Sequence, residues 1–517
     1  MSFRTTVFAT ACLAAAFTQA QPATAAEKVL RVGMATGDIG KIDPHLAAGT
    51  QDKVVVGWLF NGLVRVKPGE ATPKFIEPDL AESWTSSPDG LSWTFHLRHG
   101  VQCHQGYGEF TAEDVVYSLQ RAADPNRSAY SSDYKAIKAI TAIDKYTVQI
   151  DYSEHVPSVL GFLINFQGGN MVCKAAAEKM GADFTKHPIG TGPFQFKEYA
   201  PQQELVLEAN PAYYEGRPKI DRIEYRFIPA TAARDLAFEK GEIDIDYGQT
   251  DKTWYSRITK LPHTKVVAVE PTELYTVHIN ESHPPLDNLK VRQAIAYAVP
   301  RDALVKYRGE EVTRAAKSVV PVGYLGETDA TPLFPYDPAK AKALLKEAGY
   351  PNGIKLKVVQ TSLGTMRDTM EVLQGQLRKV GIDLDLQIVE HATFHAQIRK
   401  DMSDLVLYAA ARYPIADTYL SQFYDSAATV GTPGAVANFS HCNVADAEIR
   451  AARTETDPQK QLALWATAQK KIIENVCSVP VYELFNVWAI SDRVKLGYEL
   501  HGALSQGIPI IPATTIE

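Results

Sequence analysis

The side chains best suited to gripping a charged solute lie in residues 404–423, DLVLYAAARYPIADTYLSQF. Leu405 and Leu407 alternate with Val406 and Tyr408, which is the period of a strand, and the run breaks at Pro414, directly after Arg412 and Tyr413. A helix is expected next, with Asp417 as its N-cap and Tyr419, Leu420 and Phe423 following. A charged residue leaving a buried strand points into a cleft, because α/β sheets bind ligands off their strand ends. Arg412 is therefore expected to face a ligand, and its guanidinium suits a carboxylate through two parallel charge-assisted hydrogen bonds. Tyr408 and Tyr413 stand beside it, able to stack on or hydrogen-bond the same molecule. The alternative for Arg412 is a structural salt bridge, for example to Asp417, since a buried arginine is rarely unpaired. For each aromatic in the cluster Tyr408, Tyr413, Tyr419, Phe423 and Tyr424, the alternative is core packing.

Catalytic patterns are missing from the sequence. It has no Gly-rich phosphate loop ending in Gly-Lys-Ser/Thr, no HExxH helix and no GxSxG elbow. His391 and His395 have a spacing that can set two ligands on one helix face, but Thr393 reads as that helix's N-cap, which leaves His391 outside it. No metal site, no cofactor and no enzymatic activity are expected.

The elements that must position Arg412 are spread over a chain of 517 residues, too long for one hydrophobic core, so two or more domains are expected. A hydrophobic content of 45 %, a charged content of 22 % and a formal net charge of −7 describe a globular chain with no basic stripe for nucleic acid. Arg4, the apolar run from Val7 to Phe17 and the small residues before Ala25 and Ala26 read as a secretory signal peptide over 1–26. The run is shorter than the ~20 residues of a membrane anchor. Four cysteines follow, Cys103, Cys173, Cys442 and Cys477; three complete pairings are possible, and free buried thiols remain an equal alternative.

Strands and helices then alternate. Leu30, Val32 and Met34 mark a strand, with Thr36 in the polar loop after it. Trp93, Phe95 and Leu97 mark another, as do Tyr146, Val148 and Ile150. Thr111 to Asp114 is a capping box. Asp337-Pro338 and Asp457-Pro458 each open a helix, with aspartate at N-cap and proline at N1. Two alternating strands, at Ile354–Val358 and Ile382–Ile388, flank an amphipathic helix from Met366 to Val380; this is a βαβ unit, so its strands should be parallel.

PDLAESWTSSPDGLSWTFHLRHGVQCHQG followed by FTAEDVVYSL, then PIGTGPFQFKEY, NPAYY, GEIDI, PPLDNLKVRQAIAYAVPRDAL, and finally NFSHCNVADAEI through AQKKIIENVCSVPVY, together resemble the extracytoplasmic solute-binding proteins of family 5. These serve ABC importers of the peptide, nickel and opine type, and the resemblance covers nearly the whole mature chain. It implies an α/β, two-lobe periplasmic-binding-protein (Venus flytrap) fold, with an inserted subdomain in the first lobe. The expected layout is lobe I over 27–68, 185–274 and 488–517, the insert over 69–184, and lobe II over 275–487, with hinges near Tyr275–Asn280 and Val481–Val487. It also implies a monomer in the periplasm that passes a small-molecule ligand to an inner-membrane ABC permease and its ATPase. Peptide-binding relatives often read W-x-A-D-Y-P-D-P in the cleft stretch. On this chain the first aspartate, expected to meet a peptide's amino group, is Arg412, while Tyr413 and Pro414 are kept. The charge reversal favours a carboxylate. His441, near the turn NFSHC, and Thr36 are further candidate wall residues. Ordinary peptides, with Asp417 taking the amine, are the second ligand class. A nickel complex or haem, touching His441 or His104, is the third. A secreted hydrolase on the same scaffold is the alternative of another class.

Overall fold

The computed structural model describes residues 26–47, 49–432 and 437–517, so the signal peptide expected over 1–26 lies, apart from Ala26, outside the described residues. Two long antiparallel strands organise the molecule. The first crossover strand, Thr264–Ile279, and the second, Ser478–Ser491, run from Thr264 opposite Ser491 to His278 opposite Ser478. Near the Thr264 end the second strand also pairs with Ile245–Tyr247, and the sheet continues through Val29–Met34, Arg222–Phe227, Glu204–Ala209 and Phe194–Ala200. Near the other end Leu405–Ala410 joins the first strand and Thr313–Ala315 the second. One sheet therefore passes through two α/β lobes, and the crossover strands are the bridge. Their ladder shifts register between Val269 and Glu273 and again between Tyr275 and Thr276. Such irregularities bend a strand and leave part of it unpaired.

Between Val29–Met34 and Phe194–Ala200 the chain builds a separate antiparallel sheet, in the order Ala81–Ser86, Ser92–Leu97, Thr147–Tyr152, Ile137–Asp144. The helix Ala112–Ala123 packs on it and opens with the expected capping box, the Thr111 N–H donating to Asp114 Oδ2 at 2.8 Å. Beyond the first crossover strand, Ile354–Thr361 and Ile382–Val389 pair in parallel around the helix Gly364–Lys379, as a βαβ unit must. Asp337 caps Pro338–Glu347 by accepting from the Lys340 N–H at 2.9 Å, and Asp457 caps Pro458–Glu474 in the same way. The cysteines form two disulfides, Cys103–Cys173 and Cys442–Cys477.

Two expected caps are corrected. The helix after Arg412 is Ala416–Phe423, and its N-cap is Ile415, not Asp417. Leu325 accounts for this: its N–H donates to the Pro414 carbonyl at 3.0 Å and its carbonyl accepts from the Ala416 N–H at 2.8 Å, which fixes the turn two residues early. The helix at residue 391 begins with His391 itself, because the Glu390 carboxylate takes the cap position and accepts from the Ala392 and Thr393 N–H groups. His391 and His395 then meet, Nε2 to Nε2, at 3.2 Å. No group of three or more His, Cys, Asp or Glu arranged to hold a metal occurs among the described residues.

Candidate functional site

Arg412 sits two residues past the strand Leu405–Ala410 and is held from its backbone. The Tyr324 hydroxyl accepts from the Arg412 N–H at 3.1 Å and donates to its carbonyl at 2.9 Å. The guanidinium lies over the Phe423 ring, 5.4 Å from its centre. Nε donates to Gln422 Oε1 at 2.7 Å and Nη1 to the Ala411 carbonyl at 3.0 Å. No carboxylate among the described residues comes within 4.0 Å of it. The salt bridge offered as its alternative role does not form: Asp417 is buried and faces Arg453, Nε to Oδ1 at 3.4 Å. Burial raises the Asp417 carboxyl, with Arg453 opposing it.

Arg412 lines a cavity of about 300 Å³ together with Tyr413, Asp417, Asp133, Phe166 and Gln167. Its two walls come from distant parts of the chain, residues 132–167 and residues 412–453. They touch closely. The Tyr413 ring lies against Phe162, with centroids 6.4 Å apart, and directly on Gly161, where a Cβ would come 2.2 Å from the ring. His155 Nδ1 is 2.8 Å from the Arg453 carbonyl. Phe166 and Gln167 also border a smaller space behind, which holds Lys53 from the helix Thr50–Leu59. Lys53 Nζ lies 5.6 Å from the Phe166 ring centre and forms no ion pair or hydrogen bond among the described residues. Burial, then the Arg412 guanidinium, pull its ammonium down to about 8, while Glu273 and Asp52 pull the other way.

Glu273 lies on the first crossover strand, just past the register shift that follows Val269. It is half-buried and makes no ion pair among the described residues. Burial raises its carboxyl, which Lys53, Gln506 and Arg412 oppose. Glu273 faces Leu484 across the ladder, and two residues on Asn486 points to the same side. Asn486 Oδ1 accepts from the Tyr247 hydroxyl at 3.1 Å, but its buried Nδ2 has no partner among the described residues.

Of the residues expected at the site, Arg412, Tyr413 and Asp417 line this cavity. Tyr408 packs instead between Phe439 (5.1 Å), Phe423 and His395 (both 5.9 Å), behind the ring that carries Arg412. His441 Nε2 is 3.0 Å from Asp401 Oδ1, in a polar knot with Asn280 and His283. Thr36 closes a turn by donating to the Asp38 carbonyl at 2.7 Å. His104 is buried and uses both ring nitrogens on the Gly190–Gly192 backbone, so it has none left for a metal or haem. Lys53, Glu273 and Asn486 escape sequence reasoning. Lys53 sits in a helix of ordinary composition, and only the fold brings it and Glu273 within electrostatic reach of Arg412.

A second cavity of about 310 Å³ lies by Trp58, Tyr213 and Ile510. Of its two lining cations, Arg65 is paired with Glu215 at 2.8 Å and Lys67 is exposed.

Comparison with known proteins identifies the family of the chain. The family model for bacterial extracellular solute-binding proteins, family 5 Middle, matches residues 76–430. Glutathione-binding protein GsiB of Escherichia coli is 30 % identical over 470 residues, 88 % of this chain and 89 % of that protein. Heme-binding protein A of Haemophilus influenzae is 28 % identical over 471 residues, 85 % and 84 % of the two chains. Among solved structures, MoaA of A. tumefaciens R10 in complex with mannopinic acid is 47 % identical with a TM-score of 0.87, over 95 % of this chain and all of that one. Periplasmic binding protein DppA of Helicobacter pylori with a bound peptide is 27 % identical with a TM-score of 0.81, over 95 % and 98 %. The sequence motifs, the paired crossover strands and these matches agree: the chain belongs to the bacterial extracellular solute-binding proteins of family 5.

Proposed function

We propose that this protein captures a small, carboxylate-bearing solute between its lobes and delivers it to an inner-membrane ABC permease and its ATPase. It acts as a monomer in the periplasm, reached through the 1–26 signal peptide, and has no catalytic step or cofactor. Lobe I comprises 27–68, 185–274 and 488–517, the insert 69–184, and lobe II 275–487. Closure is a hinge motion of the crossover strands about Tyr275–Asn280 and Val481–Val487, where the ladder shifts register between Tyr275 and Thr276. The observation that carries the ligand class is Arg412. Its guanidinium is anchored at Nε and Nη1, bordered by the cavity, and lacks a carboxylate among the described residues. A guanidinium so placed binds an acid in the geometry it favours and repels an ammonium. The complex of MoaA with mannopinic acid supports an opine-like solute. The peptide alternative needs Asp417 to receive an amine, and Arg453 already faces that carboxylate.

The test is a thermal-shift and calorimetric screen of residues 27–517 against mannopinic acid, simple carboxylates, di- and tripeptides, glutathione and Ni²⁺. A ligand at about 100 times its Kd stabilises by about 2.7 kcal/mol. The acid-bearing conjugate should shift the melt, and Arg412→Ala should weaken it by about 2–5 kcal/mol, roughly 30-fold or more. If only peptides shift the melt and Arg412→Ala leaves that shift intact, the reading fails.

A further inference from the structure

Arg314 stands beside the hinge with two carboxylates on one guanidinium, one from each crossover strand. We propose that Arg314 is a positioning residue for solute capture: from lobe II it grips Glu270 of lobe I and holds the closed form on its ligand. That role rests on capture by closure of the lobes, as proposed for this chain, and names a contact outside the cavity that sustains it.

Arg314 belongs to lobe II through backbone and side chain alike. It faces Glu483 across the ladder of Thr313–Ala315 with the second crossover strand, and its guanidinium lies 5.1 Å from the centre of the Phe485 ring. Nε donates to Glu483 Oε2 at 2.7 Å, and Nη2 donates to the Val322 carbonyl at 2.9 Å. Glu483 is buried, and its carboxylate also accepts from the Val322 N–H at 3.0 Å and from the Thr272 hydroxyl at 2.7 Å. A buried charge needs a partner and hydrogen bonds, and Glu483 has both without Glu270. Glu270 nonetheless takes the remaining arm, accepting from Nη1 at 2.8 Å. Its backbone belongs to lobe I: the carbonyl accepts from the Ala503 N–H at 2.7 Å, and the N–H donates to the His501 carbonyl at 3.4 Å. The register shift explains the reach. Val269 faces Asn486 and Glu273 faces Leu484, so Glu270, Pro271 and Thr272 stand against Phe485 alone. A bulge re-aims the side chains it carries, and this one sends Glu270 to Arg314 and Thr272 to Glu483. The hinge at Tyr275–Asn280 lies between Glu270 and Arg314 in the chain. Rotation about it parts those two, while Arg314, Val322 and Glu483 stay together.

Removing Arg314 alone would strand the buried Glu483 charge. The variant to use is therefore Glu270→Gln, since the Glu270 side chain is 31 % exposed and can be hydrated when unpaired. Stopped-flow fluorescence with mannopinic acid should show koff raised about fivefold and kon within about twofold of wild type, as expected of a partly exposed ion pair completed only on closure. The ligand-free melting temperature should hold. In a background where Arg314→Gln and Glu483→Gln remove the buried pair together, Glu270→Gln should raise koff no further. Unchanged koff in the single variant, or an equal rise in that background, overturns the clasp. If mannopinic acid does not bind but a peptide or glutathione does, the opine-like reading falls, and the same rates measured with that solute decide the clasp. If no solute binds, ligand-free X-ray scattering decides: Glu270→Gln should have a larger radius of gyration than wild type, and equal or smaller dimensions overturn it.

Discussion

Gly161→Ala separates closing from folding. Gly161 is buried beneath the Tyr413 ring, and a Cβ there would lie 2.2 Å from Cε1, 2.3 Å from Cζ and 2.6 Å from Ser158 Oγ. Its φ is not in the left-handed region, so alanine suits the local backbone, and the clash is with a ring from the other wall of the cleft. Forcing an extra methyl into a packed contact costs about 1–3 kcal/mol. The Ser158 hydroxyl, in Gly161's own segment, turns aside by a χ1 rotation in either form, and parting of the walls removes the Tyr413 contact, so most of the cost falls on the closed form. Apparent ligand affinity should therefore drop roughly 5- to 150-fold. The ligand-free melting temperature should hold or rise slightly, since replacing glycine where the backbone is compatible stabilises by about 0.4–1 kcal/mol through the unfolded chain. Calorimetry with mannopinic acid and a ligand-free thermal melt measure the two halves. Unchanged affinity would show that Tyr413 yields without cost. A ligand-free protein that loses several degrees would show that the contact belongs to the fold and not to closure.

Two further outcomes concern protons. His278, on the first crossover strand, is buried against Phe423, Tyr424 and Phe439, and burial lowers its ring to about 3. The unfolded chain, with a histidine near 6.5, binds the proton first, so stability is lost as pH falls below about 6.5. At pH 5 this one ring accounts for about 2 kcal/mol, so from pH 7 to pH 5 the unfolding free energy of wild type in urea should fall relative to that of His278→Phe by that amount. A constant difference would refute it. Lys53, held at about 8 in the free cleft by burial and Arg412 against Glu273 and Asp52, must be charged to hold an acid. Affinity for mannopinic acid should fall as pH rises through about 8, and the wild-type excess over Lys53→Met should vanish there. An excess that persists to pH 9.5 would place Lys53 away from the ligand.

The fold is legible in the sequence wherever one local signal dominates. Asp-Pro pairs fix helix starts at residues 337 and 457, and alternation fixes the parallel strands around Gly364–Lys379. Prediction fails where a distant group overrides the local one: Leu325 fixes the turn ahead of Asp417, and Arg453 faces its carboxylate. His391 fails differently, because the glutamate before it outcompetes Thr393 for the cap. Within the site, Arg412 is legible because a charge leaves a strand end beside a proline. Tyr408 has the right neighbours but lies on the wrong side of Phe423. Lys53 and Glu273 carry no local mark, since each is defined by a partner it lacks, and a missing partner is visible only in three dimensions.

The two cations also bear on when the cleft closes. Burial, then the Arg412 guanidinium, lowers the Lys53 ammonium, so bringing the two cations together on closure would add repulsion. Glu273 offsets part of that repulsion but is itself raised by burial, so it is a weaker counter-charge than a free carboxylate. Without ligand the charges therefore oppose closure, and a ligand shifts the equilibrium only through such differential interaction. A carboxylate-bearing solute placed between the cations would turn the opposing term into a favourable one and couple recognition to closure. Lys53→Met removes the repulsion without adding a contact. Its ligand-free form should be more compact by small-angle X-ray scattering than wild type at low salt, a shift of about 1 kcal/mol being roughly fivefold in the closed-to-open ratio. Added salt should narrow the gap, because a Debye length near 3 Å at about 1 M screens charges across an open cleft. Equal dimensions for the two proteins at low salt would mean that packing, such as Tyr413 on Gly161, sets the ligand-free state and that charge only selects the solute.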